Sequence, residues 1–364
     1  MLLVAAWTRD SLELWRLDAQ SGATPERQRV DVPFADEGDR NCLRLRMTRA
    51  DRGWLRTRMD GRGVVARVFD GGRRVVPCAP VPGSARIDLN TCKIHGRDVV
   101  TVIEGHPALA PSPQAPFGSR IHRFEGGQWE STDTRPSMVV HDVSFAPNGG
   151  IWLAAAERPD PAVPRSLWFQ SSPAAEPEPV PVRLDLESRV RLATGRMLGA
   201  QIFEEFRRID AESEPLVAFG DSPDLWDFPV SYVVARRRDG LFSAHRFGFG
   251  VGFASTRSCG IVVTPEGEVS SIDGSGRLRR RASRSKLSSI LTACFPEVPP
   301  TAIICRTDAL DDGRLAIRVD LGDERGTSAQ AICVSHSYGA QWEIIVATRP
   351  TRGEPTLADV SWVR

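Results

Sequence analysis

The tetrapeptide Asp142-Val143-Ser144-Phe145 returns near the end of the chain as Asp359-Val360-Ser361-Trp362. After the internal copy, the turn Pro147-Asn148-Gly149-Gly150 leads into Ile151-Trp152-Leu153-Ala154-Ala155. After the second copy the sequence ends at Arg364, and the matching continuation stands at the opposite end, as Leu2-Leu3-Val4-Ala5-Ala6. A repeat split between the two ends predicts a circular array in which the last strand joins the first sheet.

The remainder reads as short runs of alternating polarity, punctuated by Gly, Asp, Asn and Pro, which is the pattern of antiparallel strands. Asp60-Gly61 and Asp70-Gly71 fall between such runs, where glycine accepts a hairpin turn without a Cβ clash. The expected fold is all-β: a β-propeller of seven blades, with six as the alternative, closed by pairing the C-terminal strand with the N-terminal strands. It is expected to span 1–364 as a single domain. The units fall at 2–32 with 357–362, then 41–78, 86–132, 138–185, two across 188–282, and 302–347. Six follows if 188–282 is one blade with a long insertion. The third unit begins with a strand at 86–90, and 200–206 suits a strand or a short helix. Pro-rich loop insertions are expected near 106–117, 158–164 and 172–181. A short helix near 283–294 follows from Leu287, Ile290 and Leu291 at helical spacing ahead of Pro296.

Composition narrows the function. Apolar residues make up 41% and charged residues 26%, ordinary for a globular protein. The net charge of +1 gives no global field to gather nucleic acid or an anionic membrane. Lys93 and Lys286 are the only lysines among 47 basic residues; 46 acidic residues balance the arginines, so their excess reads as compositional bias. No segment reaches the ~20 apolar residues of a membrane-spanning helix, and the run 1–7 lacks the basic flank of a leader. Seven cysteines, an odd number without a C-x-x-C pair, sit largely in apolar runs such as 303–305 and 331–334. They read as reduced core residues. The expectation is a cytoplasmic protein with no cofactor, no structural metal, and neither membrane nor nucleic acid as partner.

Residues 335–342 read Ser-His-Ser-Tyr-Gly-Ala-Gln-Trp. This resembles the Asp-box, S-x-D-x-G-x-x-W, of sialidase-like (BNR-like) propellers, with Ser337 in place of the aspartate. The resemblance implies a turn between the third and fourth strands of a blade, and no activity, because the box is structural. A sialidase would further need an arginine triad, an acid/base aspartate and a tyrosine activated by a glutamate. Only Tyr232, read as opening an inner strand, with Glu204 and Glu205 upstream, offers such a pair. That pair carries the alternative reading of a divergent glycosidase or lyase acting in the central funnel. A sugar-binding, lectin-like module is a further alternative.

Metal-ligand spacings are missing from the six histidines. His141-Asp142 is a neighbouring pair on opposite faces of a strand, and Asp308, Asp311 and Asp312 read as a solvated turn. One charge cluster stands out: Arg277, Arg279, Arg280, Arg281, Arg284 and Lys286, with Arg236, Arg237 and Arg238 nearby in sequence. It reads as a docking patch for an acidic protein or for phosphates, or as a charged sheet edge that prevents strand pairing. No aromatic residues interleave it, which disfavours single-stranded nucleic acid. These readings converge on a non-catalytic protein-binding propeller: an inhibitor, an immunity-type partner or an assembly scaffold.

Overall fold

The structure is a computed structural model that describes residues 1–8, 11–18, 24–30, 43–59, 62–82, 92–95, 99–104, 119–134, 138–145, 149–157, 166–172, 174–181, 183, 202–207, 216–220, 231–248, 251–256, 258–282, 286–298, 301–323 and 326–363. Strands dominate. The first sheet holds β1 (Leu2–Trp7), β2 (Leu12–Leu17) and β3 (Glu26–Arg29), and its remaining strand is β28 (Thr356–Trp362), paired with β1. The second holds β4 (Arg44–Met47), β5 (Arg52–Met59), β6 (Arg62–Phe69) and β7 (Arg74–Pro77). The third holds β8 (Cys92–His95), β9 (Val99–Glu104), β10 (Arg120–Glu125) and β11 (Gln128–Asp133). The fourth holds β12 (Val139–Phe145), β13 (Ile151–Ala156), β14 (Ser166–Gln170) and β15 (Glu178–Val180). Next come β16 (Ile202–Arg207), β17 (Leu216–Gly220), β18 (Ser231–Arg238) and β19 (Leu241–Gly248), then β20 (Gly252–Ser255), β21 (Cys259–Val263), β22 (Val269–Asp273) and β23 (Leu278–Ala282). The last sheet is β24 (Ala302–Ala309), β25 (Leu315–Asp323), β26 (Gly326–Ser335) and β27 (Glu343–Thr348).

Each sheet is an antiparallel meander, and neighbouring sheets meet at their first strands: β28 against β4, β24 against β28, β20 against β24, β8 and β16 against β12. Those strands line the axis of a β-propeller. The split repeat is physically joined, since Val4 lies opposite Val360 in the β1–β28 register. The core is the set of layers between sheets. Leu3, Ala5, Leu14, Leu45 and Leu55 fill the layer between the first and second sheets. Leu2, Val4, Ile332 and Trp362 fill the layer between the first and last. Each such side chain, fully buried, contributes roughly 1.5–3 kcal/mol. Alternation explains the partition: odd positions of β1 face one neighbour and even positions the other.

The expected count of seven blades, or six, is corrected. Seven four-stranded sheets are paired, but side chains are described on all four strands in only five of them. In the sheets β8–β11 and β16–β19, the side chains of β8, β16, β17 and β18 lie outside the described residues. The corrected count is five blades. Individual elements compare with expectation as follows. The first described strand of the third sheet is Cys92–His95, and the strand expected at 86–90 lies outside the described residues. The span 200–206 contributes the strand Ile202–Arg207. Within 172–181, expected as a loop, Glu178-Pro179-Val180 pairs as β15. It is the outermost strand of its sheet, the one place where proline's missing N–H costs no ladder bond. The expected insertions at 106–117 and 158–164 lie outside the described residues. The helix, α1, runs Leu287–Cys294 and buries Leu287 and Leu291 against the last two sheets.

Candidate functional site

The basic run of the sequence is an outer edge. Arg279, Arg280 and Arg281 lie on β23, the last strand of its sheet, and are exposed together with Arg277 and Lys286. Arg284 lies outside the described residues. Part of the charge is locally answered. Arg279 Nε lies 3.4 Å from Asp273 Oδ2, and Arg280 pairs with Glu268. Arg281 donates to Ser271 Oγ at 2.8 Å and stacks 5.1 Å over the Tyr338 ring. Arg277 and Lys286 form no ion pair among the described residues. Asp273 organises the preceding turn: its Oδ1 accepts from the backbone N of Ser275 and of Arg277 at 2.9 and 3.1 Å. Burial works against that carboxylate, but the hydrogen bonds of Ser275 and Arg277 and the charge of Arg279 outweigh it and hold its pKa below the ordinary value.

Tertiary packing joins this edge to the neighbouring sheet. His245 of β19 hydrogen-bonds the Gly276 carbonyl at 2.8 Å, and Gly276 packs directly on Ser243. Ser243, Phe242 and Leu241 stand opposite Arg236, Arg237 and Arg238 of β18 in register. That register puts the backbone of Arg236, Arg237 and Arg238 one strand in from β19, which itself meets the Gly276 turn. Leu241 and Leu278 flank the junction at 43% and 36% exposure.

The Tyr/Glu pairing fares differently. Tyr232 is on β18, the third strand of its sheet, whereas Glu204 and Glu205 are on β16, the first. The reading of Tyr232 as opening an inner strand is therefore corrected: β17 intervenes, which places the two strands roughly 10 Å apart. The aspartates at 308–312 do not converge. Asp308 accepts from Ser361 Oγ and Trp362 N, Asp311 faces Ser258, and Asp312 pairs with Arg314. His141 is the extra residue of a β-bulge in β12, which breaks the alternation assumed for His141-Asp142. Among the described residues no group of three His, Cys, Asp or Glu is placed to hold a metal ion.

The turn at 335–342 joins β26 to β27. Ser335 Oγ accepts from the backbone N of Gly339 at 2.9 Å and of Ser337 at 3.4 Å. Trp342 is buried and donates to the Gly267 carbonyl at 3.3 Å, across to the neighbouring sheet. A small cleft lies nearby, lined by residues that include Glu266, Ser288, Leu291 and Phe295 beside α1, and it holds no convergent catalytic set.

Sequence reasoning missed the axis. One-residue bulges recur in the first strands, with Ala358, His141, Glu204 and Cys305 as the extra residues. The next residue is charged each time: Asp359, Asp142, Glu205 and Arg306. Asp359 Oδ2 accepts from Leu45 N at 2.8 Å, and Arg306 lies 3.7 Å from Asp359. Behind them Arg318 donates to the carbonyls of Leu357 and Ala358 at 3.0 and 2.5 Å and pairs with Asp320 at 3.0 Å. The available signal was the repeated Asp-Val-Ser, whose aspartates are the residues after the bulge.

No family model matches this sequence, and no curated protein matches it. Solved structures do. A quinoprotein alcohol dehydrogenase-like protein from Bacteroides thetaiotaomicron is similar with a TM-score of 0.54 at 8% identity, over 100% of this chain and 78% of that one. PorZ, a surface component of the type-IX secretion system of Porphyromonas gingivalis, gives 0.49 at 10% identity, over 93% of this chain and 37% of that one. YCF48 from Cyanidioschyzon merolae gives 0.44 at 13% identity, over 84% and 85%. The chain thus spans little more than a third of PorZ. At such identities the likeness is one of fold, and the fold is a β-propeller.

Proposed function

We propose that this chain is a non-catalytic protein-binding propeller, and that its partner is an acidic protein docking on the edge where β19 and β23 meet. The observation that carries the reading is the junction itself: His245 and Ser243 seat the Gly276 turn, exposed Leu241 and Leu278 each lie two residues along the chain from the Ser243–Gly276 contact, and exposed Arg277, Arg279 and Arg280 follow that turn. An apolar pair framed by guanidinium groups complements a surface carrying carboxylates around an apolar anchor. The outer edge of β23 also leaves backbone groups available to a partner strand. Inhibitor, immunity-type and scaffold roles all use such a surface, in a single cytoplasmic domain. The bonds of Ser335 Oγ support reading the 335–342 turn as Asp-box-like, which fits a structural blade with no activity.

The test is capture from a native-host extract with the full chain and with an Arg279→Glu/Arg280→Glu variant, read by mass spectrometry. Retention of an acidic protein by the parent chain and its loss from the variant is the expected result. Equal retention by both, or no specific retention, overturns the reading.

A further inference from the structure

Asp273 N donates to the Arg277 carbonyl at 3.1 Å where β22 turns into β23. From there the register sets Ile272 opposite Leu278, Ser271 opposite Arg279 and Ser270 opposite Arg280. Along an antiparallel ladder, pairs that exchange backbone hydrogen bonds alternate with pairs that point those groups away. Arg279 therefore turns its backbone N–H and C=O inward to Ser271, whereas Leu278 and Arg280 turn theirs outward. β23 is the last strand of its sheet, and among the described residues no backbone bond reaches Leu278 or Arg280 from that outer side. We infer that the acidic partner adds an extended segment of its own chain antiparallel to β23, with carboxylates opposite Arg279 and Arg280 and an apolar side chain opposite Leu278. This inference rests on the proposed docking of an acidic protein at this edge.

Other outer strands of the molecule are guarded differently. Pro179 stands in the middle of β15 and Pro77 ends β7, and neither offers an N–H to a further strand. Gln28 of β3 donates its side-chain amide to the Arg73 carbonyl at the start of β7, which ties those two edges together. α1 packs against β27. β23 carries no proline, and its guard is charge. Arginines of one sign repel a second β23 and admit a strand of the opposite sign. Arg279 and Arg280 already meet Asp273 and Glu268, but those pairs are exposed. Exposed ion pairs contribute little, so a partner's carboxylates can join or replace them. Leu278, 36% exposed, shares a face with Arg280 and offers the apolar contact. The backbone bonds of an added strand supply affinity, and its side chains supply selection. Antiparallel to β23, the segment reads acidic, acidic, apolar.

The experiment measures calorimetric binding of the full chain to the capped peptide acetyl-Thr-Thr-Glu-Glu-Leu-Thr-Thr-amide at constant ionic strength. Its first Glu and its Leu fall opposite Arg280 and Leu278, so their N–H groups point at β23. Its second Glu falls opposite Arg279, and that N–H points away. The expected result is saturable binding, weakened about tenfold or more by N-methylation of the first Glu and the Leu and little changed by N-methylation of the second Glu. Gln at both Glu positions should weaken it comparably. Arg280→Pro should bind more weakly than Arg280→Gln, which loses the same charge but keeps the outward N–H. Equal effects of the two N-methylations, or no saturable binding, overturn strand addition. Self-association of the chain that Arg280→Pro abolishes puts a second copy at this edge and overturns it likewise. Should Arg280→Pro not fold, the N-methylated peptides on the parent chain decide the matter. Loss of a host protein from the Arg279→Glu/Arg280→Glu variant, together with equal effects of the N-methylations, leaves docking through side chains standing and strand addition overturned.

Discussion

Asp359 Oδ2 accepts the backbone N–H of Leu45 at 2.8 Å, a bond between residues 314 apart in sequence. It ties the strand that completes the first sheet to the first strand of the second. Asp308 does the same one sheet earlier, accepting from Trp362 N at 2.8 Å and Ser361 Oγ at 3.0 Å. The first sheet is thus clasped on both sides by buried carboxylates, and Ser361 in turn accepts from Met47 N at 2.9 Å. Asp359→Ala orphans a buried N–H and removes the counter-charge of Arg306. The expected loss is about 3 kcal/mol, read as a fall in the urea midpoint, with Asp359→Asn recovering part of it because the amide oxygen still accepts. An unchanged midpoint in the alanine variant contradicts the clasp.

Ser335→Ala should cost about 1–2 kcal/mol by freeing the buried Gly339 N–H. Gly339→Ala should cost more, about 2–4 kcal/mol. Its φ is +83°, and an added Cβ would meet Val269 Cγ2 at 2.2 Å. Chemical denaturation of the two variants checks the ranking; the reverse order means the turn is held by something other than this geometry.

Gly252 on β20 is a second close approach. A Cβ there would fall 2.2 Å from Thr307 Oγ1 and 2.4 Å from Ile304 Cγ2 on β24. Gly252→Ala should destabilise by about 1–3 kcal/mol, visible as a lowered Tm. A Tm at or above that of the parent would show that the two first strands separate freely.

Cys333 is fully buried, and burial first, then the neighbouring Cys294, raises its thiol pKa well above the ordinary range. A raised folded pKa stabilises below the unfolded value of about 8.5, and that contribution is lost as pH rises toward the folded value. Urea unfolding at pH 7 and pH 10 should therefore show a larger alkaline loss in the parent chain than in Cys333→Ala. The native thiol should resist alkylation until the chain unfolds. Equal pH dependence in both proteins rejects the assignment.

Leu2–Ala6 and Asp359–Trp362 declared their relationship in the sequence because a sheet needs its strands adjacent, and alternation with matching repeats reports that need locally. The turn at Asp70-Gly71 between β6 and β7 was legible for the same reason. The number of packed blades was not, because turn signals mark strands without saying which sheets close on one another. Pro179 shows the limit well: proline reads as a loop signal, yet only its place at a sheet edge let it pair. Arg277–Arg281 could be noticed as a charge run, but the Gly276–Ser243 contact that joins it to β19 depends on how two sheets pack. Arg306 and Arg318 gave no signal at all, being scattered among 45 arginines.

What the sequence determined by itself is the strand pattern and the joining of its two ends, both consequences of periodicity and of backbone groups that must be paired. What the tertiary structure alone decided is which charges share a low-dielectric neighbourhood. Coulombic coupling depends on distance in space, and register, bulges and the packing of first strands around the axis set that distance between residues hundreds of positions apart.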